Sequence, residues 1–461
     1  MSVTGVWALM ATAAMAEPLS QAAVTLSQPA TGALAAATAD GILHLDEAKR
    51  ITLADNPGVA AARARVEMAV AALRQSQAAY FPTLSVSASA RHIEDTPFDL
   101  GFGVDREPYR TYALGGGAAW VVFNGFATRF RVAAAHHAET ASRESAREVQ
   151  RLLLQGVALS YYEALLAQEA MTIAQRDRDF NRELSAETRK RFEAGVVSRG
   201  DVLNFDIRVA QADSSSLAAE SDLFRARVAL AELLGIPTAS LPQGLAQAPL
   251  PTVLPAALPD LEIELDYALA NRPDYRQLLE SRRGIEAERQ ALRGDYVPQV
   301  SVAADYGWSR FQSARFHDGR DASSSVGVAA TWTLFSGGST KAQEARLSAA
   351  ASEISQTINA LTHAIVAQLR QRLDAIRVAE QQVTLQQHIR DMTLETRDLV
   401  RSEYTAGRAS LTRLNEAQTD LVRAEGLLAQ AAIRHGQATE LLAGASGRNL
   451  RALGAEPTPV P

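Results

Sequence analysis

Residues 117–126 read GAAWVVFNGF, and residues 329–338 read AATWTLFSGG. Each stretch passes from small residues through Trp and Phe to a polar residue and glycine. Each is followed by more than sixty residues with almost no Gly or Pro. Alternation that stops at an aromatic pair and gives way to an unbroken run reads as a strand handing over to a helix. On this reading Asn124 and Ser336 are the N-caps, because their side-chain oxygens accept from unpaired helical N–H groups.

The two stretches are copies. Trp120 and Trp332 stand 212 positions apart (332 − 120), as do Phe123 and Phe335, Gly125 and Gly337, and Gly195 and Gly407. Upstream, LADNP at 53–57 matches LANRP at 269–273, and YFPTLSVSA at 80–88 matches YVPQVSVAA at 296–304, at an offset of 216. The four-residue difference falls between Pro82 and Trp120, where a loop absorbs it. Self-similarity at a fixed period decides architecture ahead of local features. The chain therefore reads as a tandem duplication of mixed α and β structure. A first repeat spans 42–234, a Pro-rich connector 235–260, a second repeat 261–445, and a C-terminal tail 446–461.

Each repeat has the order helix, strand, loop, strand, very long helix, turn, helix. Strands are expected at about 83–92 and 112–123, then at 299–311 and 324–335. Leu84, Val86, Ala88 and Ala90 alternate with Ser85, Ser87, Ser89 and Arg91, the period of two that marks a strand. Four strands of this length, apolar on one face and small or polar on the other, fit a membrane-spanning barrel; a half-buried soluble sheet has the same pattern. In the barrel reading Trp120, Phe123, Trp332 and Phe335 belong to an aromatic girdle at the membrane surface.

The long helices are expected at about 125–193 and 337–405, each roughly 100 Å long at 1.5 Å per residue. Return helices follow at about 198–234 and 410–443. Val202, Phe205, Val209, Ala212, Ser216, Ala219, Leu223, Ala226 and Leu230 form a seam at 3,4 spacing, repeated 212 positions later from Leu414 to Leu442. Its Ala and Ser content suits lateral packing into a curved wall. His435 on that seam reads as a packed imidazole rather than a functional one.

Composition excludes several classes. A formal net charge of −6 gives no footprint for nucleic acid. With no cysteine there is no disulfide, thiolate nucleophile or zinc-thiolate site. No P-loop, G-x-S-x-G or H-E-x-x-H occurs, and the adjacent His136 and His137 diverge on a helix. No catalytic residue, metal site or cofactor is expected, and no enzyme. Residues 1–16 read as a signal peptide, with an apolar run from Gly5 to Met15 and cleavage allowed before Glu17, although no Lys or Arg precedes the run.

Several motifs together resemble the TolC-like outer-membrane efflux channel family. They are the helix starts NPGVAAARARV and NRPDYRQLLESR, the strand starts YFPTLSVSA and YVPQVSVAA, and the junctions WVVFNG and WTLFSGG. The turns FEAGVVSRGDVLN and YTAGRASLTRLNEAQ complete the set. The resemblance implies a homotrimer in the outer membrane, its 12-stranded β-barrel (four strands per chain) continuous with a periplasmic α-helical barrel. Physics agrees that copies must share the barrel, since four strands cannot close and lipid tolerates no open edge. Strand count alone allows two copies or three.

The resemblance further implies a passive duct in a tripartite efflux or type I secretion system. Its partners would be a periplasmic adaptor (membrane fusion) protein, an inner-membrane transporter and outer-membrane lipid. The turns at Gly195 and Gly407 would form the periplasmic tip. Tyr404 resembles a tip tyrosine that bonds to a neighbouring coil, with Asp201 as its expected partner. Glu416 would contribute an acidic ring at the constriction, which Arg413 offsets. Arg189, Lys190 and Arg191 face either an adaptor or solvent. The competing reading is a non-conducting periplasmic coiled-coil adaptor or structural protein.

Overall fold

The computed structural model describes residues 41–93, 109–241, 246–247, 258–312 and 319–451. The expected signal peptide and the connection absorbing the four-residue offset lie outside them. The first repeat comprises β1 (Ile42–Leu43), α1 (Leu45–Asp55), α2 (Pro57–Gln77), β2 (Thr83–Ile93), β3 (Tyr109–Phe123), α3 (Ala127–Glu193) and α4 (Arg199–Leu233). After β4 (Ala246–Gln247) the second gives α5 (Leu261–Asn271), α6 (Pro273–Ala291), β5 (Gln299–Gln312), β6 (Gly319–Thr331), α7 (Ser339–Thr405) and α8 (Leu411–Ser446). A last turn, α9, spans Arg448–Arg451.

Local chemistry explains the boundaries. Both α2 and α6 begin with Pro at the first helical position, where its missing N–H costs nothing. The Asn56 side chain accepts from the Gly58 amide at 2.7 Å. A 3-10 turn closes each of these helices, Ala78–Tyr80 and Leu292–Tyr296, ahead of Pro82 and Pro298.

Three expectations need correction. The N-caps are Phe126 and Gly338, not Asn124 and Ser336. Two consecutive left-handed residues intervene, Gly125 and Phe126 at φ 63° and 64°, then Gly337 and Gly338 at 66° and 83°. Ala127 N donates to Asn124 O, and Ser339 N to Ser336 O, so each junction is a tight turn with positive φ at both central positions. Asn124 still serves the helix from outside, its Oδ1 accepting from Thr128 N at 3.2 Å. Second, β6 ends at Thr331, so Trp332 and Phe335 lie past the strand rather than within it. Third, the tail boundary at 446 is too early: Asn449 and Leu450 are buried. Within the connector, β4 pairs in parallel with β1.

The main sheet has the order β2-β3-β5-β6, antiparallel throughout. The helices form a wall in the order α4, α3, α8, α7, with α2 and α6 laid against α3. The small-residue seam behaves as its spacing requires: Phe205, Ala212, Ser216 and Leu230 are buried on α4, and Leu414, Ala417, Leu421, Ala424, Ala431, Ala438 and Leu442 on α8. Because α8 lies between two long helices it buries a second face as well. Gly436 on that face sits where an added Cβ would be 2.6 Å from the Tyr162 ring. His435 is packed at the seam, its Nε2 3.8 Å from Glu380.

Candidate functional site

The sheet has two chemically distinct faces, read directly from the register. One carries Leu84, Val86, Leu114, Tyr306, Val326 and Val328; the other carries Ser85, Ser87, Ser89, Gly115, Gly117, Asp305, Ser323 and Ser325. The apolar side chains are not covered by anything among the described residues, with Leu84 81% and Val86 83% exposed. A soluble β domain would bury that face. An uncovered apolar face on strands of 11 to 15 residues fits lipid, and the Ser/Gly face fits water.

The aromatic residues bound this apolar face at the helix end. Trp120 donates through Nε1 to the Tyr80 carbonyl at 2.9 Å. By simple alternation Phe123 would fall on the polar face. A bulge after Val121 sets Phe123 opposite Val300 and so returns it to the Trp120 side. Its ring meets Phe126 edge-on at 5.7 Å. Trp332 and Phe335 are exposed beyond the end of β6.

At the opposite end the two long helices terminate alike. Gly195 and Gly407 both take φ 75°. Val196 N bonds Arg191 O and Gly195 N bonds Phe192 O; Arg408 N bonds Glu403 O and Gly407 N bonds Tyr404 O. These paired bonds satisfy the last carbonyls of each helix, with glycine in the left-handed position. Both turns then restart a helix on a serine: Ser198 accepts from Asp201 N, and Ser410 from Arg413 N.

The expected tip residues are brought to one end, but not all into contact. Asp201 is engaged by its own capping box, its carboxylate accepting from Ser198 N at 3.0 Å and Ser198 Oγ at 2.8 Å. No hydrogen bond joins it to Tyr404 within the chain; local capping has taken the acceptor. Tyr404 is instead buried with Phe180, Leu184, Phe205, Val400, Leu414 and Ala417, with the Arg191 guanidinium 5.3 Å above its ring. Arg413 pairs across the turn with Glu403 at 3.4 Å, and Glu416 is exposed. In the basic run, Arg189 pairs with Asp206 and Arg191 with Glu187, leaving Lys190 exposed.

Sequence reading missed the links between the two coils. Arg401 bonds Glu183 at 2.9 Å while its guanidinium lies 5.4 Å from the Phe180 centroid, and Gln418 donates to Asp177 at 2.8 Å. These partners stand 218 and 241 positions apart, off the 212 period of the repeat, so the spacing gave no signal for them. A second missed feature ties down the C-terminal end of α8, part-way along α3. Arg151 donates to Gly444 O and Arg272 to Ala445 O, and Arg272 forks onto Asp274 at 2.6 Å. Burial alone would raise the Asp274 pKa, but the Arg272 hydrogen bonds and charge, the Arg151 charge and the Tyr275 amide outweigh it, and the carboxyl is held below its usual value.

Among the described residues no helix is long and apolar enough to cross a membrane. A family model described as outer membrane efflux protein matches residues 50–236 and 265–448, most of the chain and one match per repeat. Protein CyaE of Bordetella pertussis is 26% identical over 300 residues, 64% of this chain and 61% of that protein. The chain thus spans under two thirds of that relative's length. The pyoverdine export outer membrane protein OpmQ of Pseudomonas aeruginosa is 24% identical over 407 residues, 87% of this chain and 84% of that one. Among solved structures, the outer-membrane channel OprN aligns with a TM-score of 0.74 at 22% identity, covering 87% of this chain and 89% of the other.

Proposed function

The chain belongs to the outer membrane efflux protein family, and from that premise we propose that copies of it close into a ring forming a continuous duct across the outer membrane and into the periplasm. One observation carries the reading: among the described residues each layer stops at an unpartnered edge on both sides. In the sheet these edges are β2 and β6; in the helical wall they are α4 and α7. Lipid tolerates no open strand edge. Joining β6 of one copy to β2 of the next keeps every pair antiparallel and is a head-to-tail contact, which generates a ring. Three copies give about twelve strands, the number the family resemblance implies.

The duplication supports the same closure. The first junction packs against the second repeat's 3-10 turn, where a Cβ on Gly125 would lie 2.3 Å from Val297 and one on Gly294 2.4 Å from Asn124 O. Its copy at Gly337 and Gly338 has nothing within 4 Å. The equivalent turn, Ala78–Tyr80, belongs to the next copy in the ring.

Within this duct the chain conducts passively, and an inner-membrane transporter with its periplasmic adaptor supplies the driving force and the cargo. Tyr404, Asp201, Arg413 and Glu416 set the constriction at the periplasmic tip. Asp201 acts by holding the start of α4 and Tyr404 by packing the two coils together. Purified protein in planar bilayers tests the reading: detergent-dependent trimers with discrete conductance are expected, rising in Asp201→Ala or Tyr404→Ala. Recovery as a soluble periplasmic protein without conductance overturns the channel; unchanged conductance in both variants overturns the tip assignment.

A further inference from the structure

Both junctions between sheet and helix carry a cation at the same place. Arg129 and Lys341 stand 212 positions apart (341 − 129), each in the first turn of a long helix. A positive charge there opposes the helix dipole, so helix stability accounts for neither. Arg293 is a third cation, in the 3-10 turn that packs against the first junction. All three are exposed, and none holds an ion pair or hydrogen bond among the described residues. The tier as a whole is basic. Across residues 74–82, 124–131, 289–298 and 332–344 the charged residues are Arg74, Arg129, Arg131, Arg289, Arg293 and Lys341 against Asp295 and Glu344, with Arg289 engaged by Glu286.

The helical wheel gives the direction of these cations. A cavity at the junction is lined by Thr83, Ser301 and Thr331, which belong to the Ser/Gly face of the sheet. Thr128 and Arg131 of α3, and Ser339 and Thr340 of α7, line the same cavity. At about 100° per residue, Arg129 points roughly 130° away from the midpoint of Thr128 and Arg131. Lys341 likewise points roughly 150° away from the midpoint of Ser339 and Thr340. On the 3-10 turn, at about 120° per residue, Gly294 and Asp295 line the cavity and Arg293 points opposite. Arg129, Arg293 and Lys341 therefore face outward, on the side of the apolar sheet face; Arg131 and Asp295 face inward, and Glu344 projects to the side.

Height completes the placement. Phe126 is 62% exposed, and Arg129 lies three residues (129 − 126), about 4.5 Å, further along the helix. The headgroup layer on each side of a bilayer is about 5–7 Å thick. With the aromatic residues at the edge of the hydrocarbon, the three cations lie level with lipid phosphates. We propose that Arg129, Arg293 and Lys341 form a docking surface for the phosphate groups of anionic phospholipid in the leaflet of the outer membrane that faces the periplasm. Each guanidinium offers a planar fork that matches phosphate oxygens, and the lysine adds a point charge. The proposal rests on the barrel reading above. Each copy in the ring repeats the patch, so the barrel is seated on that leaflet by a belt of cations just beneath its aromatic girdle.

The test titrates detergent-purified full-length trimers with phosphatidylglycerol and with phosphatidylcholine of the same acyl chains, whose trimethylammonium group offsets the phosphate. A cation beside an anionic lipid surface strengthens binding about fivefold, so the wild type is expected to prefer phosphatidylglycerol about tenfold or more. R129Q/R293Q/K341Q is expected to lose that preference, and R131Q, at the same height but facing the cavity, to keep it. Equal binding of both lipids by the wild type overturns the proposal. So does an undiminished preference in the triple variant, or an equal loss in R131Q. Should the triple variant fail to assemble, R129Q and K341Q singly decide: each is expected to lower the preference about fivefold, and no change in either overturns the proposal. Failure of the barrel reading would appear separately, as a wild type without conductance.

Discussion

Gly125 sits at φ 63° with an added Cβ 2.3 Å from Val297 Cγ2 and 2.7 Å from Gly294 Cα. Gly125→Ala therefore meets both backbone strain and a contact that cannot give, a cost of about 3 kcal/mol or more. Loss of heat-stable protein is the expected outcome. Gly337, its copy, has the same left-handed φ and open space, so Gly337→Ala costs the single protomer only about 1–2 kcal/mol. Two identical letters thus carry different constraints. A second residue-scale effect concerns pH. Because Asp274 ionises more readily folded than unfolded, its contribution is present above the ordinary carboxylate pKa and is lost as pH falls through the lower folded value. Melting temperatures measured from pH 5 to pH 2 should decline below about pH 4. Asp274→Asn should start lower at neutral pH and decline less.

At the scale of elements, the return helices show how far periodicity reaches. The seam residues are buried or half-buried on α4 and α8 as the 3,4 spacing requires, because a stripe facing one partner has a fixed angular width. The second buried face of α8 was not legible. It carries Ile433, Gly436 and Gly444, and it exists only because α3 from the other repeat lies against it. Gly436→Ala should destabilise by about 1–3 kcal/mol through the Tyr162 ring. Gly426→Ala on the same helix, with nothing within 4 Å, should stabilise by about 0.5–1 kcal/mol through helix propensity. Denaturant unfolding of the two variants separates packing from propensity. The same limit explains Phe123. Alternation assigns a face to each strand residue, and one bulge reverses the assignment.

At the scale of the molecule, the edges decide behaviour. Leu203, Ile207, Leu217 and Phe224 on α4, and Leu385, Ile389, Met392 and Leu399 on α7, are exposed apolar residues with near-heptad spacing. A soluble rod would not keep them so; two edges that bury each other would. Leu217→Asp and Leu385→Asp are expected to leave helix content unchanged and to convert the oligomer to monomer, read by sedimentation in detergent. Retained trimers would place the interface elsewhere. The sequence by itself determined the duplication, the four strands, the long helices and the glycine turns at the tip, because each rests on local spacing, backbone freedom or a period that survives in the letters. Only the folded chain shows the burial of Tyr404 between coils, the Arg401–Glu183 and Gln418–Asp177 links and the return of Phe123 to the Trp120 side of the sheet. Those depend on which distant segments meet, and contact between residues hundreds of positions apart leaves no period to read.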